Sequence, residues 1–213
     1  KKILNKEISF YRKKIIIIPH GVSEIFKFKH RKINKKKIKI IYVSKIDIYK
    51  NQIKIIKALN KLKEKFNISL SLVGSFDERN KKILEEKIHS LNIQKSVKIL
   101  GKVNYKKLPH LYNQHDIKIY ASKSETFGMT MLEAMKCGLP ILATKNEISG
   151  EILSSAGFFC KDTVDDIKYG IIKMIKNKKN LKARIKKGIK ISNKFKWDIT
   201  SKKTFNFLEN LGG

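Results

Sequence analysis

Short runs of consecutive apolar residues, each followed by a longer segment with apolar positions three or four apart, recur along most of this chain and leave few folds open to it. A strand reads as a near-continuous apolar run when both faces of its sheet are covered, and helices crossing between parallel strands provide that cover. The pattern predicts strands at Ile15 to Ile18, Lys39 to Ser44, Ser69 to Val73, Val97 to Leu100, Ile117 to Ala121, Ile141 to Ala143 and Gly157 to Cys160. Between them Ile53, Ile56, Leu59 and Leu62, and again Leu84, Ile88 and Leu91, recur on one helical face and read as crossover helices. Met129 to Cys137 reads as a helix closed by Gly138-Leu139-Pro140, where the Gly can take the left-handed cap and the Pro stops continuation. Gly74 and Gly101 end two strands. From about Asp162 the strand pattern gives way to two or three amphipathic helices, the last carrying Trp197, Ile199, Phe205, Leu208 and Leu211. The expected class is α/β, a parallel sheet with helices on both faces.

At 213 residues and 41% apolar content the chain can bury one α/β core or two small ones. Its formal charge of +31, from 49 Lys and Arg against 18 Asp and Glu, points at first to nucleic acid or anionic lipid. The excess is nearly all Lys, spread through every helix, which equally fits a solvated basic surface. No zinc-knuckle spacing or aromatic RNP-like box supports specific nucleic-acid binding. An anionic membrane surface stays a candidate partner. The longest purely apolar run, Ile15 to Ile18, is too short to span a bilayer. Cys137 and Cys160 stand alone and read as buried hydrophobes in a reducing compartment. His110 and His115 do not share a helical face, so no metal site is expected. The chain begins Lys1-Lys2-Ile3-Leu4, without Met or a signal-like segment, which suggests a piece of a longer polypeptide in a cytoplasmic or membrane-peripheral setting.

In an open parallel sheet ligands bind beyond the carboxyl ends of the strands. Three such places carry chemistry. Lys45 and Lys50 follow the second expected strand, with Asn51 opening a helix, and Ser122-Lys123-Ser124-Glu125-Thr126-Phe127-Gly128 leads from the fifth into another. Pro19-His20-Gly21 follows the first. Unpaired N–H groups and the dipole of a helix N-terminus favour anions, and two ammonium groups nearby make a diphosphate the natural ligand. The competing reading is that both lysines are two more of the many on the surface. Glu133 falls within the apolar run Met129, Met131, Leu132, Ala134 and Met135, where a carboxylate is costly to bury without strong donors, and ribose hydroxyls would serve. Glu125 reads either as a ligand or as a carboxylate favouring the helix dipole. Were the helix to run through both, the two carboxylates would lie about 12 Å apart, too far for an acid/base couple on one bond. They read as two clamps on one extended molecule.

The run Ser122 to Pro140 resembles the E-x7-E signature of the glycosyltransferases of family 4, with its Phe-Gly and its Glu-Ala-Met-x-x-Gly-x-Pro ending. The likeness extends over roughly positions 15 to 211. Ile18-Pro19-His20-Gly21-Val22 resembles the family's entry loop, and Leu108-Pro109-His110-Leu111-Tyr112-Asn113 followed by Asp116 resembles the segment before its donor loop. Trp197 and the last helix resemble its closing helix. Tyr42-Val43-Ser44-Lys45 stands where the family has Val-Gly-Arg, with Ser44 for Gly and Lys45 for Arg, which keeps the charge and loses the guanidinium fork.

The resemblance implies the C-terminal, Rossmann-like half of a two-domain GT-B fold and a retaining, metal-independent transfer from a nucleotide-diphospho-sugar such as a UDP- or GDP-sugar. It makes residues 1–14 a linker or remnant of an absent N-terminal acceptor domain, 15–195 the donor-binding domain and 196–213 a crossover helix. It assigns Lys45 and Lys50 to the departing diphosphate, Glu125 to donor-sugar hydroxyls and Glu133 to the ribose. Ser44, Thr126, Phe127, Gly128, Met129 and Thr130 complete the donor contacts. No cofactor is implied beyond the donor, and the acceptor would be a surface glycan or lipid. The family's candidate histidine belongs to the N-terminal half and none of the five here matches it. A nucleotide-sugar epimerase, a phosphorylase, or a basic binding module without activity are the other readings.

Overall fold

The computed structural model describes residues 16–29 and 37–210. Along the chain come β1 (Ile38–Val43), α1 (Gln52–Asn60), β2 (Ile68–Val73), α2 (Glu78–Ser90) and β3 (Val97–Gly101). There follow α3 (Leu108–Gln114), β4 (Ile117–Tyr120), α4 (Met129–Lys136), β5 (Ile141–Thr144), α5 (Glu147–Leu153) and β6 (Phe158–Cys160). Three helices close the described chain, α6 (Val164–Lys176), α7 (Lys178–Ser192) and α8 (Trp197–Glu209). The strands form one parallel sheet in the order β3-β2-β1-β4-β5-β6. The order reverses direction between β1 and β4, and that reversal opens a crevice beyond their carboxyl ends.

Residues alternate between the two faces of each strand, so each strand feeds two cores. Ile40 and Tyr42 of β1, Leu70 and Leu72 of β2 and Ile117 and Ile119 of β4 join Ile55, Ile56 and Leu59 of α1, Leu84 and Ile88 of α2, and Ile167, Ile171 and Met174 of α6. Each fully buried Ile or Leu contributes about 1.5–3 kcal/mol. On the opposite face Ile41, Lys118, Tyr120, Ile141 and Ala143 are covered by α3 and α4, with Tyr112, Met131, Leu132 and Met135 all buried. The polar termini of the helices are satisfied locally: Asp77 caps α2 through Asn80, Asn146 and Ser149 form a capping box on α5, and Thr163 caps α6 through Asp166.

Six of the seven expected strands form, within a residue or two of their expected ends. The first does not. Ile15 lies outside the described residues, and Ile16, Ile17 and Ile18 are not in a strand. Apolarity there is no guide to pairing, since Ile16 and Ile17 are exposed and Pro19, next in the chain, has no N–H to donate to a ladder. Residues 30–36 lie outside the described residues, and Lys39 belongs to β1. Gly138 takes the expected left-handed cap at φ +67°. Cys137 is buried as expected, whereas Cys160 is only half-buried, its thiol donating to the Ala143 carbonyl at 3.6 Å.

Among the described residues the chain divides into two compact units, residues 22–194 and a smaller one of residues 16–21 together with 195–210. In the smaller unit the Thr200 hydroxyl donates to the Pro19 carbonyl at 2.8 Å, and Trp197 meets His20 edge-on with ring centroids 6.0 Å apart. α8 buries none of its residues, leaving Trp197, Ile199, Phe205 and Leu208 exposed, while Leu211 lies outside the described residues. Among the described residues no helix is long and apolar enough to cross a membrane.

Candidate functional site

Two loops leave the sheet on either side of the reversal. Beyond β1 the chain turns through Ser44 and Lys45 into a short 3-10 turn, Ile48–Lys50, whose first N–H is taken by the Asp47 carboxylate at 2.8 Å. Asn51 then adopts a left-handed conformation at φ +59° and opens α1. Beyond β4 the chain runs from Ala121 to Gly128, which at φ +83° takes a conformation that favours glycine and starts α4 without a side-chain cap. The two loops are tied together by backbone and side chain: Lys123 N–H donates to the Tyr49 carbonyl at 2.9 Å, and Asn51 Nδ2 donates to the Ala121 carbonyl at 2.8 Å.

Lys50 is the centre of that junction. Its side chain is buried, and Nζ donates to Ser122 Oγ at 2.9 Å, to the Ser124 carbonyl at 3.1 Å and to Glu125 Oε2 at 3.2 Å. Three acceptors match the three N–H bonds of an ammonium, which is the condition for keeping that charge buried. Its own backbone carbonyl accepts from the Tyr42 hydroxyl at 2.7 Å, anchoring the turn to β1. Glu125 uses its other oxygen, Oε1, to accept from the Thr126 N–H at 3.2 Å and keeps 28% of its side chain exposed.

Of the residues singled out in the sequence, Lys50, Glu125 and Thr126 are therefore joined directly, with Gly128, Met129 and Thr130 continuing into the first turn of α4. Lys45 stands apart. Its side chain is about half exposed and its ammonium pairs with Asp47 Oδ2 at 3.1 Å, an interaction that holds its pKa above the ordinary lysine value. Ser44 accepts from Gln52 Nε2 at 3.2 Å and donates to the Lys45 carbonyl. Since α4 begins only at Met129, Glu125 lies in the loop before it, and the separation expected from one continuous helix through both carboxylates does not apply.

Glu133, in α4, is 4% exposed. Within the protein the Tyr112 hydroxyl donates to Oε2 at 3.0 Å, and the Tyr105 hydroxyl lies close enough to act on the carboxylate electrostatically. Burial raises the Glu133 pKa, and the two hydroxyls and the Lys118 charge oppose that rise. Tyr105 is pushed up to about 12 by burial and then by the Glu133 charge, and Tyr112 is raised for the same reasons. Lys118, from β4, is fully buried, with Nζ 5.4 Å from the Tyr112 ring centroid. Burial lowers its pKa to about 7, against the attraction of Glu133 and Glu125.

Lys118 and Tyr105 were missed in the sequence, and Tyr112 was noted only as part of a longer likeness. The signal for Lys118 was present: a lone cation inside Ile117-Lys118-Ile119-Tyr120, a strand buried on both faces. Asp116 proves architectural, its Oδ2 accepting from the Lys39 N–H at 2.8 Å at the start of β1. Pro19, His20 and Gly21 belong to the smaller unit. Among the described residues no three His, Cys, Asp or Glu side chains are grouped to hold a metal ion.

Known proteins resemble this chain in sequence and in fold. An uncharacterized glycosyltransferase of Methanocaldococcus jannaschii is 28% identical over 78% of this chain and 43% of its own length. A probable sucrose-phosphate synthase of Thermosipho melanesiensis is 29% identical over 96% of this chain and 50% of its own. The chain thus spans about half the length of these curated relatives. Among solved structures, that of Anabaena HepE in complex with UDP and glucose superposes with a TM-score of 0.83 at 21% identity, covering 92% of this chain and 57% of the other. Residues 23–191 match the family described as glycosyl transferases group 1, and the chain belongs to that family.

Proposed function

We propose that this chain is the donor-binding half of a retaining glycosyltransferase of family 4 with the GT-B architecture. It binds a nucleotide-diphospho-sugar, UDP- or GDP-linked, in the crevice between the β1 and β4 loops. The observation that carries this reading is the Lys50 junction: a buried ammonium beside Glu125 and next to the uncapped N-terminus of α4, at the reversal of a parallel sheet. The diphosphate takes the place of part of that polar network, with Lys50, the more exposed Lys45 and the first N–H groups of α4 stabilising the charge that leaves. Glu125 then meets hydroxyls of the donor sugar, and Glu133 the ribose. Ser44, Thr126, Phe127, Gly128, Met129 and Thr130 line the same crevice. Cations and a helix dipole supply the positive charge without a metal ion.

Transfer itself takes a second domain, which carries the acceptor site for a surface glycan or lipid. The exposed apolar side chains of α8 fit a helix that crosses to such a domain. The +31 charge fits a cytoplasmic protein working at an anionic membrane face. The relative crystallised with UDP makes UDP the first probe. Calorimetric titration of the chain with UDP and GDP, at modest salt with a chelator present, should show saturable binding that Glu133→Ala weakens. Absence of binding to either nucleotide would refute the donor-site reading.

A further inference from the structure

Lys118 is the least comfortable residue in the sheet. It is fully buried in β4, and among the described residues its Nζ has no hydrogen-bond acceptor. An ammonium so placed is costly, and a Met or Leu would fill the same volume without that cost. Its surroundings are specific. Nζ faces the Tyr112 ring at 5.4 Å, and the hydroxyl of that ring donates to Glu133 Oε2 at 3.0 Å. A cation over an aromatic face is held by the ring quadrupole, and a buried charge acts on its neighbours through a low local dielectric. Lys118, Tyr112 and Glu133 therefore form one layered unit from β4 through α3 to α4.

We propose that Lys118 is a positioning residue for the nucleotide site, holding Glu133 through the Tyr112 ring as an ionised acceptor for the vicinal hydroxyls of a bound ribose. This rests on the role given to Glu133 above. A carboxylate offers acceptors on both oxygens, and protonation turns one of them into a donor, so ribose binding depends on which form burial favours. Burial favours the neutral acid and the Lys118 charge favours the carboxylate. The other titratable groups facing this unit are Tyr105 and Tyr112 on Glu133, Glu125 from the loop after β4, Cys137 near Tyr112, and Tyr120 on the same strand. Tyr105, Tyr112 and Tyr120 are raised above the ordinary tyrosine value and stay neutral near pH 7. Lys118 is the cation acting on Glu133.

The test compares wild type with Lys118→Met, and with Lys118→Leu should Met fail to fold. UDP affinity is measured by calorimetry from pH 5.5 to 9, and the Glu133 carboxyl carbon is followed by NMR without ligand. The phosphate's own titration is common to all proteins and cancels in the comparison. Without Lys118 the Glu133 midpoint and the midpoint of UDP binding should both move up by about one unit or more, so that affinity falls roughly tenfold near pH 6 and hardly at all near pH 9. An unmoved Glu133 midpoint, or an equal loss of affinity at every pH, would overturn the proposal and leave Lys118 a packing residue. If neither variant folds, the wild-type Glu133 signal must show a second inflection where the Lys118 ammonium titrates, and a single inflection rejects the coupling. A wild type that binds no UDP at any pH defeats the donor-site reading instead, while the ligand-free NMR midpoints still decide whether Lys118 acts on Glu133.

Discussion

Lys50, from the loop after β1, and Glu125, from the loop after β4, meet at 3.2 Å across the reversal of the sheet. The pair is more than a surface ion pair because the lysine is buried and its other two donors go to Ser122 and the Ser124 carbonyl. Its acceptors all lie on one loop and its backbone on the other, so the position of each loop depends on this side chain.

Replacing Lys50 by Met should therefore destabilise the fold and disable the crevice together. Ser122 and Ser124 lose a donor and Glu125 a counter-charge, a loss of about 1–3 kcal/mol given that Glu125 is partly solvated. Urea denaturation measures the first effect and UDP calorimetry the second. Unchanged stability with unchanged affinity would show that the junction neither joins the loops nor meets the ligand.

Lys45 should behave in the opposite way. Its side chain is about half exposed and its partner Asp47 also caps the 3-10 turn, so Lys45→Ala leaves the cap in place. The melting temperature should stay within about a degree, as for surface changes generally. UDP affinity should fall on the order of tenfold, the value of one charge-assisted hydrogen bond, while uridine, which lacks phosphate, should bind as before. An equal loss for both ligands would place Lys45 away from the diphosphate.

Lys118 also predicts how stability changes with pH. Its folded pKa of about 7 lies below the ordinary value of 10.5, so between those limits the unfolded chain binds more protons than the folded one. Stability then rises with pH from about 7 to 10.5 on account of this group, and the burial penalty is fully present below 7. Glu133 acts in the other direction, since its raised pKa makes stability fall as pH climbs from 4.5 through its folded value. Denaturant titrations at pH 7, 8 and 9 should accordingly show a smaller rise in Lys118→Met than in wild type, and identical slopes would mean the buried ammonium does not titrate there.

Much of this was legible because burial on both faces writes a strand as an unbroken apolar run, as in Ile141-Leu142-Ala143. The same rule misled at Ile15 to Ile18, where apolarity carries no information about a pairing partner. Helix ends were legible where a cap has one chemical solution, as at Gly138. The crevice was half legible. A residue after a strand is placed by topology, so Lys50 and Glu125 could be nominated, but Lys45 and Lys50 look alike in sequence and only burial separates them. Glu133 was expected to wait for a ligand's hydroxyls, whereas Tyr112, distant in sequence, already donates to it.

Gly74 supplies a last test, of how closely the chain after β2 approaches the chain after β1 at the edge of the crevice. It follows β2 at φ +150°, and a Cβ there would overlap the backbone carbonyl of Ser44 at the end of β1. A backbone carbonyl cannot turn aside as a flexible side chain can, and the conformation is one that L residues rarely adopt, so Gly74→Ala combines strain with a clash and should cost about 1–3 kcal/mol or more. The shift would be felt at Ser44 and Lys45, so UDP affinity should fall as well. Gly150→Ala is the matched control. It lies within α5, a Cβ there meets nothing within 4 Å, and its φ is not in the left-handed range. Alanine in a helix is favoured over glycine by about 0.5–1 kcal/mol, so this variant should be more stable and bind UDP unchanged. Urea midpoints moving in opposite directions for the two alanines would support the close approach of the chain after β2 to the chain after β1, and equal small shifts would rule it out.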